Sequence, residues 1–333
     1  MNTVIIVFSQ KGYALGKHLV SYFEQKGDRS ELTYCETGKL TEWTGAHFHY
    51  DALIFIGSCG IAVRAIAPFL TSKTCDPAVV VIDELGTYAI SLLSGHIGGA
   101  NDIALKLAQF LDAIPVVTTA TDVHNIFAID TWAVKQGLKI ANPERIKGVS
   151  ARLLAGATIS IQTSFPVIGP LPSGITLCNQ DGDVLITYTC GHEESLRLIP
   201  SIITLGIGCK KNVAAETIAR AFALTLKKAN CHRLAITQVC SIEQKAREPG
   251  ILEFCQAYGL PYKTFSPQEL RTVPGTYASS AFVKEVTGVD NVCERSAVLG
   301  SGAGGRLLAE KDALNGVTMA LAISPYNICF DEV

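Results

Sequence analysis

The residues best suited to chemistry crowd into Ser94-Gly95-His96-Ile97-Gly98-Gly99-Ala100-Asn101, which combines a hydroxyl, an imidazole, a carboxamide and three glycines. Glycines let backbone N–H groups approach an anion closely, and a helix start adds favourable partial charge for a carboxylate or oxyanion. An apolar run, Tyr88 to Leu93, precedes the stretch, and a helix-compatible run, Asp102 to Leu111, follows it. His96 is suited to giving or taking a proton near neutral pH; the plainer alternative is a tight turn around a structural histidine.

Other segments carry groups of the same kind. Asp83-Glu84 directly follows the apolar run Val79–Ile82, setting two carboxylates at a strand end where a general acid or base could work; a solvated acidic loop is the alternative. Gly57-Ser58-Cys59-Gly60-Ile61-Ala62-Val63-Arg64 puts Gly57 and Gly60 behind another apolar run and Arg64 just inside a helix-compatible stretch. A planar guanidinium can grip a carboxylate through two parallel hydrogen bonds. The segment falls short of G-x-G-x-x-G and does not read as a dinucleotide turn. Thr118-Thr119-Ala120-Thr121-Asp122 contributes Thr119 and Asp122 after a further apolar run.

In the second half, Gly206-Ile207-Gly208-Cys209-Lys210-Lys211-Asn212 has the texture of a phosphate loop but not the G-x-x-x-x-G-K-[ST] pattern. Gly206 and Gly208 offer backbone donors, and Lys210 and Lys211 offer cations, to a carboxylate-rich ligand; a plain strand-to-helix turn with exposed lysines is the alternative. Ser241–Gly250 is dense in charge and reads as a solvated helix ending in a turn. Asp290 is an N-cap candidate for a following helix. Gly300–Arg306 reads as a glycine-rich loop that either touches a large ligand, with Arg306 at its end, or is merely flexible. Neither G-x-S-x-G nor H-E-x-x-H occurs, which counts against serine hydrolase and zinc peptidase chemistry.

The elements that must position these groups follow from the spacing of apolar runs. Strands are expected at Val4–Phe8, Ala52–Ile56, Ala78–Ile82 and Ile114–Val117, with helices at Gly12–Lys26, Ile61–Leu70 and Asp102–Leu111. That alternation predicts an α/β fold whose N-terminal domain, residues 1–139, is a doubly wound, mostly parallel sheet. Ligands on such sheets collect at the carboxyl ends of strands, so the loops at Gly57, Asp83, Ser94 and Thr118 are expected to meet at one sheet edge. A small middle domain, 140–199, is expected from short β-prone runs at Thr158–Gln162, Val167–Gly174 and Val184–Tyr188. A second α/β domain, 200–333, opens with a strand at Ser201–Leu205, a helix at Val213–Lys227 and a strand at Arg233–Val239. Helices at Gly250–Tyr258 and Ser279–Thr287 and a run at Val317–Ile323 complete it.

Composition narrows the classes. With 333 residues, 48% of them hydrophobic and 17% charged, the chain can bury a sizeable core. A net charge of −2 is too weak for bulk attraction to nucleic acid or an anionic membrane, so neither is expected as a partner. The 11 cysteines are scattered without C-x-x-C pairs, as free thiols in a reducing cytoplasm would be, and no metal site is expected. No apolar run reaches the roughly 18 residues that span a bilayer, and the N-terminus reads as a buried strand rather than a leader.

Taken in order, Gly57–Arg64, Val81–Gly86, Leu92–Asn101 and Pro115–Asp122 resemble the N-terminal domain of the cobalt-precorrin-5A hydrolases of cobalamin biosynthesis. Leu205–Asn212, Ser241–Gly250 and Val289–Val298 resemble that family's C-terminal domain. The resemblance implies opening of the δ-lactone of cobalt-precorrin-5A in the anaerobic pathway, with the C20 carbon and its methyl group leaving as acetaldehyde. It implies no separate cofactor, since the substrate carries the cobalt, and neighbouring pathway enzymes as further partners. Cys59 and Cys209 depart from the residues expected at those positions. On the expected meeting of these loops at one sheet edge, Glu84 or His96 activates water, the amides of Gly95 to Gly99 bind the lactone oxyanion, and Arg64 holds a peripheral carboxylate. The competing readings are a non-catalytic tetrapyrrole carrier and a nucleotide-dependent transferase, the latter disfavoured by the absent Walker loop.

Overall fold

The computed structural model describes residues 1–72, 75–119, 126–191 and 194–330. The chain forms two compact units, Met1–Val134 with Ile146–Ala157, and Lys135–Arg145 with Thr158–Val333.

The first unit is built on strands β1 (Asn2–Val7), β2 (Arg29–Tyr34), β3 (Ala52–Ile56), β4 (Ala78–Ile82), β5 (Tyr88–Leu93) and β6 (Ile114–Val116), in the order β2-β1-β3-β4-β5-β6. Its helices are α1 (Gln10–Gln25), α2 (Leu40–His47), α3 (Cys59–Ile66), α4 (Ala100–Leu111), α5 (Ile129–Lys135) and α6 (Ile146–Leu154). Side chains alternate along a strand, so β1, β3 and β4 each supply both faces of the sheet. Ile5, Val7, Ile54, Ile56, Val80 and Ile82 pack with Leu19 and Phe23 of α1 and Leu107 of α4. Val4, Ile6, Leu53, Phe55, Val79 and Val81 pack with Ala62 and Ile66 of α3 on the other face. This is the doubly wound core that the apolar runs predict, because parallel strands covered on both sides need no polar alternation.

One strand departs from that plan, and it moves the site. β1, β2, β3 and β4 run parallel, but β5 is antiparallel to β4, pairing Val79 with Leu93 and Ile82 with Ala89. The reversal is made at Asp83–Thr87. The Asp83 carboxylate accepts the N–H groups of Leu85 at 3.2 Å and Tyr88 at 2.6 Å, and Gly86 takes a positive φ of 71°. β6 then runs parallel to β5.

The second unit holds two five-stranded sheets. The first joins β7 (Leu138–Ile140), β8 (Ile159–Thr163), β10 (Ile175–Cys178), β11 (Val184–Ile186) and β12 (Leu196–Pro200) in the order β10-β8-β11-β12-β7. Of the expected run Val167–Gly174 only β9 (Val167–Ile168) is strand, and it pairs with β18 (Ile328–Cys329). The second sheet joins β13 (Ile203–Cys209), β14 (Ile236–Ile242), β15 (Tyr262–Phe265), β16 (Arg306–Leu314) and β17 (Val317–Ile323) in the order β15-β14-β13-β17-β16. β13, β14 and β15 are parallel, while β17 is antiparallel to both β13 and β16. Helices α7 (Ala215–Lys228) and α8 (Pro249–Tyr258) cover one face through Ile218, Phe222, Ile251 and Phe254. α9 (Pro267–Thr272), α10 (Ala281–Thr287) and α11 (Cys293–Gly300) follow β15, and Leu270, Val289 and Val292 pack with Cys240 and Ile242 of β14.

Two expectations for this unit are corrected. β13 continues to Cys209, so Gly206 and Gly208 are strand residues rather than loop residues. The reason is close packing: a Cβ at Gly206 would lie 1.8 Å from the Cys293 carbonyl oxygen, and one at Gly208 would lie 2.7 Å from Thr318 Oγ1. Ser241–Gly250 is not a solvated helix. It comprises the end of β14, a turn of 3-10 helix at Glu243–Lys245 and the start of α8, with Glu248 buried.

Candidate active site

The reversal of β5 carries the Ser94–Asn101 loop to the amino end of β4. There Ser94 Oγ donates to the Asp76 carbonyl at 2.9 Å. Ser94 adopts a φ of 55°, and Gly98 packs so tightly on it that a Cβ would lie 2.4 Å from Ser94 Cβ. Gly99, with a φ of 83°, is the N-cap of α4. Asn101 is buried and clamps the assembly: its Oδ1 accepts from Ser91 Oγ of β5 at 2.6 Å, and its Nδ2 donates to Thr119 Oγ1 at 2.9 Å. Gly95 lies beneath that carboxamide, where a Cβ would come within 2.6 Å of Asn101 Oδ1.

His96 projects from this loop to Asp130 of α5, with Nδ1 and Oδ2 3.3 Å apart and the side chains 16% and 8% exposed. Burial alone would push the Asp130 carboxyl up. The His96 hydrogen bond and charge, with the N–H groups of Thr131 and Asp130 itself, hold it below its ordinary value. A carboxylate that fixes one ring nitrogen of an imidazole orients the other for proton exchange. The loop also supplies donors. The N–H groups of Gly95, Ile97 and Gly98 have no acceptor among the described residues, whereas that of Gly99 is taken by the His96 carbonyl at 2.9 Å. An oriented imidazole beside open amides at a helix start is suited to moving a proton while an oxyanion forms.

The structure brings Ser94, Gly95, His96, Gly98, Gly99, Asn101 and Thr119 together, with Asp130 as a partner that residue spacing did not reveal. Its signal was an acidic residue inside the apolar run Phe127-Ala128-Ile129-Asp130-Thr131-Trp132, where a charge needs a partner. Asp122 lies outside the described residues.

The expected meeting of four loops at one sheet edge is corrected. Gly57, Gly60, Arg64 and Glu84 follow the carboxyl ends of β3 and β4, while His96 follows β5 at their amino ends. Four residue steps of strand, about 13 Å, separate Ala78 from Ile82. Glu84 is an exposed turn residue, so it does not share a site with His96. Gly57 donates its N–H to the Ile82 carbonyl at 2.8 Å. Arg64 is exposed and turns back on its own helix to the Gly60 carbonyl at 3.3 Å.

In the second unit Gly208, Lys210 and Lys211 line a cleft of about 740 Å³ at the carboxyl ends of β13 and β14. Gly206 is sealed beneath α11. Arg306 is exposed and pairs with Ile323 at the opposite end of the sheet, so it stands away from this cleft. Gly300, Gly302 and Gly305 have the spacing of a dinucleotide turn, but they end α11 and open β16, the reverse of the strand-to-helix order such a turn needs. Asp290 is not a helix cap; it pairs with Arg295 at 2.9 Å, and Asn291 Oδ1 accepts the Glu294 N–H instead.

Three family models match the chain: the cobalamin synthesis G N-terminal region at residues 42–122, the cobalamin biosynthesis central region at 127–199 and the cobalamin synthesis G C-terminus at 203–322. The chain is 34% identical to the cobalt-precorrin-5A hydrolase of Salmonella typhimurium, over 83% of this chain and 82% of the relative. It belongs to the cobalt-precorrin-5A hydrolase family. A hydrolase of the same name from Priestia megaterium is 30% identical over 97% of this chain and 95% of its own. A solved cobalamin biosynthesis protein G homologue from Sulfolobus solfataricus aligns over 97% of both chains, at 26% identity and a TM-score of 0.43. No helix among the described residues is long and apolar enough to cross a membrane.

Proposed function

We propose that this chain hydrolyses cobalt-precorrin-5A, with the Ser94–Asn101 loop and the His96–Asp130 pair as its proton-transfer centre. The observation that carries the siting is the His96–Asp130 contact at 3.3 Å beside the open amides of Gly95, Ile97 and Gly98. Family membership supports the substrate.

The chemistry has two demands. Opening a lactone requires a water to lose a proton as its oxygen attacks the carbonyl carbon, while the carbonyl oxygen gains negative charge. With Nδ1 held by Asp130, the ring atom assigned to that proton is Nε2. The amides of the loop, reinforced by the start of α4, stabilise the oxyanion. When the intermediate collapses, the ester carbon–oxygen bond breaks and the proton on His96 passes to the departing alkoxide. His96, neutral again, takes the proton of the hydroxyl so formed as the carbon–carbon bond to the macrocycle breaks, and acetaldehyde leaves. The bonding pair passes into the conjugated ring of the substrate, which also carries the cobalt, so the reading requires no other cofactor. Under the same proposal the reaction runs in the cytoplasm, with neighbouring pathway enzymes supplying the lactone and taking the opened product.

The direct test is incubation of the full chain with cobalt-precorrin-5A, with acetaldehyde measured by a coupled reductase and the macrocycle followed by mass. Stoichiometric acetaldehyde from the wild type, released about 10²–10⁴-fold more slowly by His96→Ala, is the expected result. Binding without acetaldehyde identifies a carrier and overturns the hydrolase reading.

A further inference from the structure

The second unit contains a cleft whose charge is out of keeping with the rest of the chain. The whole protein carries a net charge of −2. Yet five cations, Lys210, Lys211, Lys245, Arg247 and Lys311, line this one cleft with a single carboxylate, Glu248. That carboxylate is already committed. One oxygen accepts from Lys245 Nζ at 2.7 Å and the other from the Asn212 N–H at 2.6 Å, with the Lys245 and Glu248 side chains 16% and 7% exposed. Although burial would raise it, the bond to Lys245, the Asn212 N–H and the charges of Lys245 and Lys211 keep the Glu248 carboxyl below its ordinary value. No ion pair engages the other four cations among the described residues.

The fold holds these charges in place from separate elements. Lys210 and Lys211 leave the carboxyl end of β13, Lys245 and Arg247 follow β14, and Lys311 comes from β16. The Tyr262 hydroxyl donates to the Lys245 carbonyl at 3.0 Å, and the buried Glu294 accepts the Lys311 N–H at 2.7 Å. Four positive charges with no ion pair among the described residues line a cavity of about 740 Å³, which an anion with several negative groups would complement. The rim is apolar as well: Phe282 and Val286 of α10 line the same cleft while 74% and 60% exposed. Large apolar side chains left open at the mouth of a charged cavity fit a ligand with a broad apolar face.

We infer that this cleft is a binding site for a polycarboxylate macrocycle, gripping peripheral carboxylates through Lys211, Arg247 and Lys311 while Phe282 and Val286 cover the ring. The inference rests on the proposed substrate class, since a corrinoid with acetate and propionate arms has this combination of flat ring and distributed charge. Glu248 acts as a positioning residue: it holds Lys245 and the turn at Asn212, and it does not itself meet the ligand.

The experiment uses the full chain and two probes that share a ring, a cobalt corrin heptacarboxylate and the corresponding heptaamide. Binding is measured by equilibrium dialysis with detection of the corrin absorbance. The heptacarboxylate is expected to bind at least about tenfold more tightly than the heptaamide, and to weaken as salt is raised. Lys211→Ala/Arg247→Ala/Lys311→Ala is expected to lose about tenfold or more of that affinity, with its circular dichroism and thermal midpoint unchanged. Equal affinity for the two probes, or wild-type affinity in the triple variant, overturns the cleft. Wild-type protein that binds the heptacarboxylate but makes no acetaldehyde overturns the hydrolase reading and leaves the cleft standing.

Discussion

The Ser94–Asn101 loop and the Lys210–Lys211 cleft are both built where a strand breaks a parallel order, but they offer a ligand opposite things. The loop presents one imidazole, held by a buried carboxylate of α5, and a row of backbone donors, with little mobile charge. The cleft presents five cations around one carboxylate and an exposed apolar lip. Small fixed dipoles suit a charge that exists only while bonds are changing, because they are already oriented when it appears. Lysines and arginines on flexible stems suit carboxylates that are charged before, during and after reaction, and so contribute affinity more than rate. The difference teaches that the two proposed sites call on different physics: oriented dipoles at the loop, full charges in the cleft.

That contrast can be broken at several points. The largest effect is expected from His96→Ala, which should lower kcat by about 10²–10⁴ and leave KM nearly unchanged, measured as acetaldehyde release across substrate concentrations. A rise in KM of the same size would place His96 with the gripping groups. Gly206→Ala comes next. The added Cβ would lie 1.8 Å from the Cys293 carbonyl oxygen, so α11 must shift, costing about 1–3 kcal/mol in denaturant unfolding. Full stability in that variant would show that α11 does not press on β13 as described.

Asp130→Asn is expected to lower kcat by about tenfold and to change the pH profile of the rate, since the partner that orients His96 loses its charge. It also has a signature in stability. In the fold the Asp130 carboxyl sits below its ordinary value of 3.8, so its contribution is fully present above that value and fades as pH falls through the lower folded one. The stability gap between wild type and Asp130→Asn, measured by urea unfolding, should therefore be full above pH 3.8 and close as the pH falls below it. A gap that widens in acid would contradict the His96–Asp130 contact. The smallest effect is expected from Glu84→Gln, within about twofold of wild type in kcat and KM, because an exposed turn residue seldom moves either. A large loss there would restore the sheet end that the structure separates from His96.

Much of the scaffold was legible in the residues. Ala52–Ile56, Ala78–Ile82 and Val317–Ile323 are continuous apolar runs, and each is a buried strand over those same residues. Burial on both faces leaves no alternation to confuse the reading. Polar edge strands were not legible: β2, Arg29–Tyr34, and β16, Arg306–Leu314, lie at sheet edges with one side towards solvent. Their mixed composition resembles loop, and β16 is further disguised by two register shifts. The direction of β5 was the costliest gap. Asp83-Glu84-Leu85-Gly86 carries the signal of a tight turn, but its carboxylates also invite a catalytic reading, and composition does not choose between the two.

Chain order and residue type settled the family, the α/β class and the stretch that holds His96, because apolar spacing and glycine placement act locally and leave a local record. The partners of those residues were settled only in three dimensions. Asp130 reaches His96 from a helix beyond β6, Glu84 is removed from it by a single reversed strand, and Gly206 is claimed by a helix that arrives from far along the chain. Each of these depends on strand direction and on the packing of distant elements, which are collective properties that local pattern does not encode.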